Sequence, residues 1–128
     1  MTCSAGTVAW DSQIGIVILS GGTITYGQNA LAGTQVDVDS LTIYGGIFNW
    51  YGKSTLSNYA QHGGTLNVLG DEDKVIGSGD ATAYPQYGGN FDASDAGGRV
   101  TFGTGDSINH YPGSSFSPAP RNNITIPI

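Results

Sequence analysis

GGIFNWYG (Gly45–Gly52) and GGTLNVLG (Gly63–Gly70) share one grammar: a Gly pair, an alternation of apolar and polar residues, and a closing Gly. Two weaker copies flank them, GGTITYG from Gly21 and GGNFDAS from Gly88. In register on the Gly pair, the second following residue is Ile24, Phe48, Leu66 and Phe91, and the fourth is Tyr26, Trp50, Val68 and Ala93. Thr25, Asn49, Asn67 and Asp92 lie between them. Side chains alternate faces along a strand, so the two apolar sets share one face and the polar set takes the other. The residue before each pair is Ser20, Tyr44, His62 and Tyr87.

The copies start 24, 18 and 25 residues apart, plausible lengths for one turn of a parallel β-solenoid. Equivalent residues of successive turns then stack into ladders, with Ile24, Phe48, Leu66 and Phe91 in one and Tyr26, Trp50 and Val68 in a second. His62 joins a third, between Tyr44 and Tyr87. The Gly pairs suit corners, where the backbone bends or enters positive φ. The expected fold is all-β: a short single-stranded parallel β-helix of about four turns, about 20 Å tall, with extended N- and C-terminal arms.

Composition agrees with β structure. The 128 residues include 21 Gly and only 11% charged residues, and no window has a capped helical period. The net charge is −6, and Lys53, Lys74, Arg99 and Arg121 are scattered. A nucleic-acid groove needs clustered cations, so direct nucleic-acid binding is not expected, nor is binding to an anionic membrane. Cys3 is the single cysteine, so no internal disulfide forms. The most apolar run, Ile14–Leu19, is too short to span a membrane, and no secretion signal is read at the N-terminus. The expectation is a protein made and folded in a cytoplasm.

Residues 1–12 read as an arm, with Trp10 capping the open end or docking on a neighbour. Residues 13–104 read as the body, and 105–128 as a Pro-containing extension. Ile14–Leu19 is expected to be a strand buried on both faces, and Gln35–Tyr44 an alternating strand with Val36 and Val38 on one face. Asp71–Lys74 reads as a surface loop. Pro85 argues for an irregular or edge segment. GGRVTFG, starting at Gly97, reads as a hairpin partner or as the next side of the final turn. Ile124, Ile126 and Ile128 alternate in a tail suited to adding onto another sheet edge, and equally to a disordered or self-packed terminus.

No residue set announces a reaction. Asp37 and Asp39 share a face, as paired carboxylates that cleave glycosides can, but the expected reading is the solvated outer face of a strand. Asp71, Glu72, Asp73 and Asp80 supply oxygens for calcium without a known loop spacing. His62 and His110 are too isolated to make a zinc set with Cys3. No GxSxG elbow or phosphate loop occurs. Asn123-Ile124-Thr125 is a glycosylation triplet that matters only on secretion. Thr23, Thr25 and Thr65 resemble the Thr arrays of ice-binding solenoids, but the matching positions Asn49, Asn67 and Asp92 depart from them. No catalytic residue, cofactor or metal is therefore expected. Tyr51, Tyr59, Tyr84, Tyr87 and Tyr111 exceed what a small core requires, and exposed ones suit sugar stacking or protein contact.

LTIYGGIFNWYG and AQHGGTLNVLG resemble the turns of right-handed β-helices in pectate-lyase-like enzymes, autotransporter adhesins and phage tailspikes, over roughly Ile14 to Phe102. Brevity and the Pro-containing tail look more like the small β-helical proteins that decorate or cement phage capsids. That resemblance implies a structural virion protein, a homo-oligomer (usually a trimer) bound to capsid or other virion proteins through its edges and arms. Trp10, Ile124, Ile126 and Ile128 are then the partner-binding residues. The alternatives are a glycan-binding module of tail-fibre or adhesin type using exposed tyrosines, and, behind it, a glycan-active enzyme using Asp37 and Asp39.

Overall fold

The structure, a computed structural model, describes residues 1–117. Ile124, Ile126 and Ile128, the Asn123–Thr125 triplet, Pro118, Pro120 and Pro127 lie outside the described residues. Within them the chain is all-β. Its strands are β1 (Thr2–Cys3), β2 (Thr7–Trp10), β3 (Ile14–Leu19), β4 (Thr23–Tyr26), β5 (Val38–Ile43), β6 (Ile47–Trp50), β7 (Ser54–Leu56) and β8 (Tyr59–Gln61). They continue as β9 (Thr65–Val68), β10 (Lys74–Ile76), β11 (Ala83–Gln86), β12 (Asn90–Asp92), β13 (Val100–Phe102), β14 (Ser107–His110) and β15 (Ser115–Ser117).

Every strand pair is parallel. The strands that follow the Gly pairs form one sheet in the order β2-β4-β6-β9-β12-β15. A second, nine-stranded sheet runs β1-β3-β5 and then forks, because β5 pairs with both β7 and β8. One branch continues through β10 to β13, the other through β11 to β14. Parallel neighbours need a crossover. Here each crossover leaves the Gly-pair sheet, contributes to the second sheet, and returns one layer further on.

The expected registers are observed. Ile24 pairs with Phe48, Phe48 with Leu66, and Leu66 with Phe91; Tyr26 pairs with Trp50 and Trp50 with Val68. All seven are buried. The Gly pairs explain why the layers sit so close. A methyl group added at Gly46 would lie 2.6 Å from the Gly22 carbonyl oxygen, and one at Gly45 would lie 2.8 Å from that of Ser20. Gly46 also has φ +82°, which an L side chain disfavours.

Several expectations change. The Gly-pair sheet has six strands, two more than the four copies suggest. The extra layers begin at Ala5-Gly6 and Gly113-Ser114, which lack a full Gly pair. Residues 1–12 are not an arm: they supply β1 and β2, the first layer of both sheets. Likewise β14 and β15 carry the sheets past residue 104 as far as Ser117. Ile14–Leu19 is buried on one face only, and Ile16 is 61% exposed, because nothing covers the outer side of β3 among the described residues. The strand expected over Gln35–Tyr44 begins at Val38, with Gln35 making only an isolated bridge to Lys53. Val100–Phe102 pairs parallel to β10, so it is the next side of the body and not a hairpin.

Pro85 lies inside β11, between β8 and β14, and not at an edge. The carbonyls of Thr82 and Gln86 accept bonds from Ser107 and Tyr111 on the β14 side, while Tyr87 donates to Gln61 on the β8 side. Residue 85 therefore turns its missing N–H toward β8. There the pairing is reduced to Gln86 with Gln61, so no ladder donor is lost where one is needed.

Candidate functional site

The most distinctive surface is a column of rings on the flank just before the Gly corners. Tyr44 stacks on His62 with centroids 4.8 Å apart, His62 on Tyr87 at 5.0 Å, and Tyr87 on Tyr111 at 5.0 Å. The ladder expected around His62 is thus present and reaches Tyr111. It stands there because each layer places the residue before its corner on the outer face, one strand spacing from the last. All four rings are exposed, Tyr44 most of the three tyrosines at 55%. The other tyrosines of the group from which exposed ones were expected behave differently. Tyr59 and Tyr84 point into the core and are buried, and Tyr51 is half-buried. Tyr84 donates to the Ser57 carbonyl at 3.0 Å and Tyr59 to the Gln61 side chain. Burial raises both phenol pKa values, with Asp106 and Asp80 adding to the effect at Tyr84.

The buried amides and the buried ammonium are occupied with backbone, whereas Trp50 Nε1 and Ser54 Oγ are buried without a partner among the described residues. Gln61 Nε2 donates to the Asn90 carbonyl at 2.8 Å and the Gly64 carbonyl at 3.2 Å. Gln86 Nε2, one layer on, donates to the Ser115 carbonyl at 2.7 Å. The repeated Gln that opens QHGG and QYGG was the available sequence signal, since both stand where Leu19 and Ile43 stand in earlier layers. Lys74, expected in a surface loop, instead turns inward. Its Nζ donates to the Leu69 carbonyl at 2.8 Å and the Glu72 carbonyl at 3.0 Å. Burial lowers its pKa to about 8, against the pull of Glu72, Asp73 and Asp71. Nothing in the DEDK composition signalled this, because the charge run reads as solvated.

Three of the candidate acids, Asp37, Glu72 and Asp73, accept bonds from the backbone. Asp37 Oδ1 accepts from Thr55 N at 2.8 Å and Gln35 Nε2 at 2.6 Å, while Asp39 is exposed without joining it. Asp73 accepts from Arg99 N, and Glu72 from Gly33 N. Asp106 is buried beneath the β10–β11 corner. Burial pushes its carboxyl pKa up, but the N–H groups of Thr82 and Gly79 and bonds from Asp80 outweigh this and hold it below the ordinary value. Among the described residues no three His, Cys, Asp or Glu side chains gather as a metal set, and there is no concave pocket.

Ser114 Oγ lies 2.8 Å from His110 Nδ1, the reach of a nucleophile and its base. The proton inventory points elsewhere. Ser114 Oγ donates to the Tyr111 carbonyl at 2.6 Å, and His110 Nδ1 also faces Gln86 Oε1 at 3.0 Å. The nitrogen that satisfies both oxygens is a donor, so it does not accept the serine proton.

The first layer presents an edge. The Gly6 and Trp10 carbonyls accept from Thr23 and Gly27 of the next layer, so the backbone groups of Thr7 and Ala9 face away from β4. Among the described residues no strand pairs there, and TVAW carries no charge or proline. Trp10 lies over Tyr26 and is 41% exposed. No family model, no curated protein and no solved structure matches this chain.

Proposed function

We propose that the chain is a non-catalytic structural protein, a short parallel β-helix that docks on a large assembly. The matched registers of successive layers support the β-helix reading. The observation that carries the functional reading is the β2 edge, Thr7–Trp10. Unpaired edges are templates for added strands, and proteins that avoid association blunt them with Lys, Pro or bulges. This edge has none of these and adds an exposed Trp. Decoration or cementing of a viral particle is the specific form, with the protein made in the host cytoplasm. Three copies are the expectation from the resemblance. Ile124, Ile126 and Ile128 remain proposed partner-binding residues.

Light scattering tests this with wild type and Ala9→Pro, which removes an outward N–H without removing a bond to β4. The expected result is a multiple of the 13.2 kDa chain mass for wild type and a smaller species for the variant, with unchanged circular dichroism. A single-chain mass for wild type, or an oligomer indifferent to Ala9→Pro, overturns the reading.

A further inference from the structure

We infer that the end of the aromatic column at Tyr44 is a stacking site for one neutral pyranose ring of a glycan. The position before each corner is Ser4, Ser20, Tyr44, His62, Tyr87 and Tyr111 in successive layers. Rings fill four of these layers and stop at Tyr44. His62 has Tyr44 on one face and Tyr87 on the other, and Tyr87 has His62 and Tyr111. Their faces are occupied, and they offer only edges. Tyr44 differs, because the layer on its other side holds Ser20, whose side chain covers no ring. The vacancy is about 4.8 Å deep at Ser20 and as much again at Ser4, and a stacked ring needs one such step.

The surroundings select the chemistry. Ser4 and Ser20 are both exposed, so each hydroxyl stands beside the vacant step as donor and acceptor. Gly21 and Gly22 leave the corner bare, and the next outward side chain beyond them is Thr23. No charged residue occupies the column. An apolar ring face bounded by short hydroxyls matches a pyranose, whose C–H face stacks on an aromatic while its rim hydroxyls bond. A charged ligand finds no partner there, and an aromatic side chain would leave the hydroxyls unused. The inference does not depend on docking through β2.

Saturation-transfer NMR with the methyl glycosides of glucose, galactose and N-acetylglucosamine tests it, with N-acetyltyrosinamide as the aromatic control. At least one glycoside is expected to receive saturation at its ring C–H protons. Tyr44→Ala is expected to weaken binding about tenfold. Ser20→Leu keeps the Tyr44 ring but covers its open face without offering a new ring face, and it is expected to abolish the signal. Tyr111→Ala, at the other end, is expected to retain it. Thermal melts of the variants report folding separately. Silence from all three glycosides, saturation of the aromatic control alone, or a glycoside signal that survives Ser20→Leu overturns the inference.

Discussion

The early and late layers of this protein solve one packing problem in different ways. In the early layers β3 and β5 are unbroken six-residue strands, and the inward side chains Val17, Leu19, Val38, Leu41 and Ile43 are all aliphatic. From the fourth layer the strand breaks at Ser57-Asn58 into β7 and β8. The interior then takes in Ser54, Lys74, Gln61 and Gln86, all fully buried, and His110, half-buried. The column Leu19, Ile43, Gln61, Gln86, His110 passes from hydrocarbon to hydrogen-bonding groups without a change of register. A buried amide is costly unless bonded. Here the amides of Gln61 and Gln86 clamp carbonyls of the Gly-pair sheet in the following layer. Register is thus set by backbone spacing, and either chemistry fills it, with the amides paired and Ser54 Oγ left without a partner among the described residues.

The contrast is breakable at defined points. Leu41→Ala in the aliphatic part is expected to cost about 2–5 kcal/mol in urea unfolding, the range for a buried Leu that leaves a cavity. Gln86→Leu, nearly conserving volume in the polar part, is expected to cost about 1–3 kcal/mol, because the Ser115 carbonyl and His110 Nδ1 lose a partner. A neutral or stabilising Gln86→Leu would show that the late layers need only hydrocarbon, and would end the comparison.

Lys74 sharpens it through pH. Its pKa of about 8 in the fold lies below the ordinary 10.5, so between these values the unfolded chain holds a proton that the folded chain has released. Stability therefore rises as pH climbs from about 8 toward 10. Above 10 the trend reverses, because Tyr26 and Tyr59 keep their phenol protons more tightly in the fold. Urea midpoints at pH 8 and pH 10 are expected to differ in wild type, and the rise is expected to be absent in Lys74→Met. The smallest effect is at Ala81, whose φ of +58° is the one positive value outside glycine among the described residues. Ala81→Gly is expected to gain at most about 1 kcal/mol in the same assay.

By itself the sequence determined the Gly-pair grammar, the two apolar columns and the Tyr44–His62–Tyr87 ladder. All follow from period-two alternation and from the Gly pairs that mark four of the corners, and both signals are local. The tertiary structure alone decided which layers continue the pattern without a Gly pair, that Pro85 sits in a central strand, and that Lys74, Tyr59 and Tyr84 face inward. It also decided that Tyr44 ends its column with an open face. These depend on what the neighbouring layer offers each residue: a strand with no use for the proline's missing N–H, carbonyls within reach of an ammonium group, or a serine too small to cover a ring. Those neighbours are a full layer away along the chain, beyond the reach of a local pattern.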